Sequence, residues 1–122
     1  MTLEELKAIL DQTGFPVAYS HFNETDDVPP QPPFIAYLVT GSNNFFADEK
    51  VYKRIDSINV ELYTSIKDEL AEKKVEDLLT ANGIAYQKDE SWIQAEKLFL
   101  QIYDFDIIVT EEYNNKKIGV NI

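Results

Sequence analysis

Apolar positions recur along this chain with two different periods. Between residues 2 and 13, Leu3, Leu6, Ile9 and Leu10 stand at helical spacing among acidic and basic neighbours, which predicts an amphipathic helix. Thr2 occupies the capping position, Glu5 three residues later completes a capping box, and Gly14 supplies a C-terminal stop. "VAYSHF" (17–22) then reads as a short strand, with Pro16 just before it, where no ladder donor is needed. "FIAYLVT" (34–40) is a continuous apolar run and predicts a buried strand. "GSNNFFADE" (41–49) reads as a turn region, and residues 51–63 as the longest strand.

That long strand changes phase. Val51, Lys53 and Ile55 share one parity, while Ile58, Val60 and Leu62 share the other. A bulge or bend near Asp56 and Ser57 reconciles them, because one extra residue moves the facing set to the other side. Its first half then twists away from the main sheet as a projecting β-hairpin arm, with Phe45 and Phe46 at or near the tip.

A second helix follows, capped by Ser65 with Asp68 in the box position. Leu70, Val75, Leu78 and Leu79 form its stripe, and Asn82-Gly83 ends it. "IAYQKDESWI" (84–93) reads as a strand with a turn around 88–91, or as a strand running on to Trp92. "KLFLQIYDFDIIV" (97–109) is apolar on both faces, which predicts a central strand. The order α-β-β-β-α-β-β gives an α+β class, with two helices packed on one face of a mainly antiparallel sheet. Residues 1–110 form this single domain, and 111–122 a polar C-terminal tail.

Composition narrows the partners. The 122 residues carry 22 acidic and 11 basic side chains, a net charge of −11. Such a chain repels nucleic acid at long range. Its basic clusters, Lys73-Lys74 and Lys116-Lys117, have acidic neighbours and make no basic footprint. There is no cysteine, so disulfides, a thiolate nucleophile and cysteine-based zinc sites are excluded. "MTLEELKAIL" is acidic and amphipathic and is not a signal peptide. No run approaches the ~18 apolar residues of a membrane span. A soluble protein made in the cytoplasm is expected, with no membrane partner.

Candidate chemistry is sparse. The single histidine, His21, lies in a predicted strand beside Ser20, and neighbours in a strand point to opposite faces. "DDVPPQPP" lacks the alternating oxygen-ligand spacing of a calcium loop. Asp104 and Asp106 interrupt the last strand on one face. They read as that face emerging into solvent, or as an acid/base pair with raised pKa. The four glycines are isolated, without a phosphate-binding motif. The expectation is a protein that is not an enzyme, with no cofactor and no metal.

Most aromatics, among them Tyr37, Tyr63, Trp92, Phe99, Tyr103 and Phe105, fall on predicted strands and read as cross-strand packing. Phe45 and Phe46 differ, falling in a predicted loop. They either fold back onto their own sheet or face another chain. Asn43, Asn44, Phe45, Phe46, Val51 and Tyr52 are candidate contact residues on the arm. Val28, Pro29 and Pro30 are candidates in the proline-rich loop "NETDDVPPQPP" (23–33), whose stiffness lowers the ordering cost of binding.

"TGFPVAYSHF", "PPFIAYLVTGSNNFFADEKVYKRIDSINVELYT" and "GIAYQKDESWIQAEKLFLQIYDFDI" together resemble a family of small proteins from tailed bacteriophages and prophages of Gram-positive bacteria. The family is that of siphophage tail terminator, or tail-to-head joining, proteins, and the resemblance spans about residues 3–109. It implies a homo-hexameric ring that caps the tail tube and docks the head-tail connector protein. It places the protein in the virion at the head-tail interface, and in the host cytoplasm during assembly. DNA would pass through the ring without specific binding, which an acidic lumen would favour. Closing such a ring requires two different patches per subunit, met here by the arm and an exposed sheet edge. A connector-binding neck or head-completion protein is the alternative reading. A small acidic adaptor for a basic partner and a carboxylate-dependent enzyme stand behind it.

Overall fold

The computed structural model describes residues 1–21, 30–47 and 50–109, with 45–47 and 50–53 described by backbone alone. Helix α1 (Leu3–Asp11) begins with the expected capping box. The Thr2 amide donates to Glu5 Oε1 at 2.8 Å, and the Glu5 amide donates to Thr2 Oγ1 at 3.1 Å. Its stripe of Leu6, Ile9 and Leu10 is buried. Gly14 follows at φ 85°, a left-handed conformation that favours glycine.

The main sheet has five strands: β1 (Val17–Tyr19), β2 (Phe34–Ser42), β5 (Ile55–Thr64), β6 (Gln87–Ile93) and β7 (Leu98–Ile108), in spatial order β1-β2-β5-β7-β6. Between β2 and β5 the chain forms β3 (Phe45–Ala47) and β4 (Lys50–Lys53), a separate two-stranded sheet. Only the β1/β2 pairing is parallel among these ladders. The architecture is therefore α+β, with the main-sheet order α-β-β-β-α-β-β and a hairpin inserted in its middle. Strand β7 lies between β5 and β6, an interior place that accounts for its apolar residues on both faces.

Both helices contribute to one core with one face of this sheet. Leu6 and Leu10 of α1 meet Ala71, Val75 and Leu79 of α2 (Glu69–Ala81) over Ile35, Tyr37, Ile58, Val60, Leu62, Tyr103 and Phe105. The register explains the selection. Val60 stands opposite both Tyr37 and Tyr103, and Leu62 opposite Ile35 and Gln101, so one row crosses three strands on the helix side.

Several boundaries differ from the sequence reading, each for a local reason. Strand β1 stops at Tyr19, because Ser20 takes φ 69° and the His21 amide turns back to the Tyr19 carbonyl at 2.7 Å. His21 thus lies past the strand, and Phe22 is outside the described residues. The phase change falls at Arg54, where β4 ends and β5 begins, so Asp56 already shares the buried parity of Ile58. A register shift in β2, between Val39 and Gly41, lies opposite Ile58 and Ser57 of β5. Gly41 and Ser42 continue β2, and Phe45 and Phe46 are strand residues where a turn was expected.

The second helix starts later than expected. Asp68 is its cap, accepting from the Ala71 amide at 3.0 Å, in place of Ser65. With Ala71, Val75 and Leu79 facing the core, Leu70 falls outside the stripe and is 78% exposed. Strand β6 runs through 88–91 without a turn, and Tyr86 lies before it. The tail 111–122 is outside the described residues.

Candidate assembly surfaces

The arm grows out of the β2–β5 hairpin and is fixed at its base. The Asn43 amide donates to the Ile55 carbonyl at 2.9 Å, and the Ile55 amide donates to Asn44 Oδ1 at 3.0 Å. On the other strand, Arg54 pairs with the buried carboxylate of Asp56 at 3.1 Å, and its carbonyl accepts from the Val109 amide at 2.9 Å. Beyond that base, Phe45 stands opposite Lys53, Phe46 opposite Val51, and Ala47 opposite Lys50, with a register shift between Phe45 and Phe46. The two phenylalanines therefore begin the arm's first strand. Residues 48 and 49, between the two strands in sequence, are outside the described residues. Of the candidate contacts, Asn43 and Asn44 hold the base, while Phe45, Phe46, Val51 and Tyr52 occupy the paired strands.

The second surface is the sheet face turned away from the helices. Strict alternation puts Phe34, Ala36 and Leu38 of β2 on it, with Ser57, Asn59, Glu61 and Tyr63 of β5 and Leu98, Leu100, Ile102, Asp104 and Asp106 of β7. At the end where β2 begins and β5 finishes lies a groove of about 590 Å³, lined by Pro30, Pro32, Phe34, Tyr63, Glu96 and Leu98 among others. Phe34 and Tyr63 form its floor, stacked at 5.0 Å between ring centroids. The Tyr63 hydroxyl donates to Glu61 Oε1 at 2.9 Å. Burial raises the Tyr63 pKa, followed by the Glu61 hydrogen bond and the nearby carboxylates of Glu61 and Glu96. Pro30 thus belongs to a groove wall, while Val28 and Pro29 lie outside the described residues. The aromatic–proline floor was not read as a site, because β2 and β5 are joined only by their register.

The candidate catalytic groups do not converge. His21 Nδ1 lies 3.2 Å from the Ser20 hydroxyl in an exposed corner, and among the described residues that contact brings no carboxylate to orient a base. Asp104 and Asp106 share the open face, as the interrupted pattern indicated. Asp106 Oδ1 accepts from the Ser57 hydroxyl at 2.9 Å. Desolvation raises the Asp104 pKa, with the Asp89 charge adding to it. Both line an open cavity of about 900 Å³ with Tyr86, Gln87 and Met1. Among the described residues no cluster of three His, Cys, Asp or Glu side chains could hold a metal ion, and no helix is long and apolar enough to cross a membrane.

The strongest charge network lies elsewhere, between α2 and the sheet. Buried Glu72 is met by Lys67 at 2.8 Å and Lys88 at 2.7 Å, and Lys88 also reaches Glu76 at 2.6 Å. Tyr103 donates to Glu76 at 2.9 Å, and Gln101 to Glu90 at 2.8 Å. The network ties α2 to β6 and β7 and is internal to the subunit. A scan against protein-family models matches none, and a search of curated proteins finds no match.

Proposed function

We propose that this protein is a non-catalytic structural protein of a siphophage or prophage that forms a ring, caps the tail tube and joins tail to head. The observation that carries the reading is the arm: a hairpin that leaves the sheet, pairs only with itself and is fixed at its base. A hairpin with Phe45, Phe46, Val51 and Tyr52 among its seven strand residues is an uneconomical addition to a self-sufficient core, and a natural contact for a neighbour. The resemblance across residues 3–109 supplies the role, and a ring needs no active site. The partners are other copies of this chain, the tail tube protein and the connector, with DNA passing through. A net charge of −11 favours that passage, since acidic walls repel the DNA backbone.

Light scattering over a range of protein concentrations, with negative-stain images of the same samples, tests the reading. A species near six subunits with ring-shaped particles is expected, in solution or on addition of tail tube protein. A monomer that stays monomeric and binds no tube protein overturns it. Binding to the connector without binding to the tube replaces it with the neck, or head-completion, reading.

A further inference from the structure

Along a strand, successive residues aim their backbone N–H and C=O groups at opposite neighbours. In β7 the Val109 amide donates to the Arg54 carbonyl at 2.9 Å, on the β5 side. Ile107 and Phe105 therefore face β5 as well, while Asp104, Asp106 and Ile108 face the β6 side. The Ile108 carbonyl agrees, accepting there from the Met1 amino group at 2.7 Å. Strand β6, however, begins at Gln87, opposite Asp104. Past that pair nothing continues the ladder. The N–H and C=O of Asp106 and the N–H of Ile108 have no partner among the described residues. The open stretch from Phe105 to Ile108 is roughly 10 Å long at the rise of an extended strand. It borders the cavity of about 900 Å³ that Tyr86 and Asp104 also line.

We infer that this notch in the sheet edge receives an extended strand of a different protein, with a basic residue opposite Asp106 between two apolar ones. The unpaired N–H and C=O groups supply the main-chain half of strand addition. Alternation of side chains supplies the rest. A guest residue opposite Asp106 points to the open face, beside the carboxylates of Asp106 and Asp104. The charge of Asp89 acts on Asp104 from β6, so three acids surround that position. An opposite charge directly across a ladder stabilises the pairing. Guest residues opposite Phe105 and Ile107 point to the other face, where Ile84, Tyr86, Phe105 and Ile107 line the cavity. Parallel and antiparallel guests share this pattern, because both alternate with a period of two.

The neighbouring positive groups are already engaged. The Met1 amino group meets the Ile108 carbonyl, and Lys88, on the helix side, meets Glu72 and Glu76. The open side of the notch is therefore acidic. A second copy is a poor source of the guest, since it brings the same excess of 22 acidic over 11 basic residues, and like charge slows and misdirects encounter. The outer edge of β6 is a poorer receiver than the notch. It presents Lys88, Asp89 and Glu90 in succession, a pattern that discourages strand addition. The inference goes beyond the ring reading. It concerns a contact with another protein and stands whether or not copies of this chain close a ring.

Amide hydrogen exchange, followed residue by residue by NMR on the full-length chain, tests the inference. In the free chain the Asp106 and Ile108 amides should exchange freely, while those of Phe105 and Ile107, facing β5, are protected. The probe is the capped peptide Thr-Val-Lys-Val-Thr. At about ten times its Kd it should slow the two free amides about tenfold, and Thr-Val-Glu-Val-Thr should leave them unchanged. Ile108→Pro removes an N–H that faces the notch and none that faces β5, and should weaken the slowing at Asp106. Asp106→Lys should abolish the preference for the lysine peptide. Protection of Ile107 in each variant shows that β7 is still paired with β5. No slowing at the highest soluble peptide concentration overturns the inference, and equal slowing by both peptides overturns the basic guest. Protection of Asp106 and Ile108 in the free chain at every dilution would mean that the chain covers its own edge. Protection that grows with protein concentration would mean that a second copy covers it. Either result overturns the foreign strand.

Discussion

The two faces of the five-stranded sheet are built from the same strands and do different work. On the helix side, Ile35, Val60, Leu62 and Tyr103 are fully buried beneath α1 and α2. On the other, Tyr63, Leu98, Leu100 and Ile102 are only half-buried, and Ile108 is 52% exposed. One face accounts for the stability of the subunit. The other carries partly exposed apolar side chains beside the acids Asp104 and Asp106. Alternation along β5 and β7 means that a single residue step exchanges one role for the other.

The sharpest way to break this contrast is a pair of equal truncations. Leu62→Ala removes a fully buried side chain and should cost about 3–4 kcal/mol, transfer plus cavity. Leu98→Ala, at a partly buried position in the groove, should cost the monomer about 1 kcal/mol. Urea unfolding with an unchanged m-value reads both. Equal losses would mean that the open face belongs to the subunit's own core.

Charged residues repeat the contrast at smaller scale. Lys88 serves Glu72 and Glu76 in the internal network, with Glu72 5% exposed at its side chain. Lys88→Met leaves that carboxylate with less compensation and should cost roughly 2 kcal/mol, less than for a fully buried pair because Lys88 is itself 33% exposed. Lys73→Met, which removes the solvent-facing pair with Asp77, should change stability by no more than about 0.5 kcal/mol. The same urea titration measures both. Equal effects would dissolve the distinction between an internal network and surface pairs.

The helix side was the more legible of the two in sequence. Periods of two and 3.6 residues report burial against the chain's own elements, so Leu6, Leu10, Val60, Leu62, Val75 and Leu79 announce themselves. The capping box at Thr2 and Glu5 is a local code and survived intact. Leu70 misled because it is apolar and helical yet falls outside the stripe once Asp68, not Ser65, starts the helix. The arm was visible as a change of parity, but its bend sits at Arg54, where a side chain pairs with Asp56 two residues on. The groove was illegible. Phe34, Tyr63 and Leu98 are far apart in the chain, and only the register of β2, β5 and β7 gathers them.

pH separates the faces through two tyrosines. Tyr103, on the helix side, has its pKa raised, first by burial and then by its hydrogen bond to Glu76. The folded state therefore holds the phenolic proton above the ordinary value of 10.0, where the unfolded chain releases it. The associated stability is fully present below pH 10.0 and is lost as pH rises from there towards the higher folded value. Urea midpoints taken on either side of pH 10 should fall with rising pH, and Tyr103→Phe should flatten that fall. Tyr63→Phe on the open face should flatten it less, since Tyr63 is less buried. A larger effect from Tyr63 would reverse the assignment of the faces.

The smallest effect on stability should come from the arm. Replacing Phe45 and Phe46 together by Ser removes the two largest apolar side chains of β3, a strand that pairs only with β4. The monomer's stability, read by urea unfolding, should change by no more than about 0.5 kcal/mol, because β3 pairs with β4 and not with the main sheet. On the proposed reading, assembly read by light scattering should weaken, because the arm loses its two phenylalanines. Retained assembly would exclude the phenylalanines from the contact. Loss of cooperative unfolding would place them in the subunit's own core, and the division between a face for folding and an arm for joining would then fall.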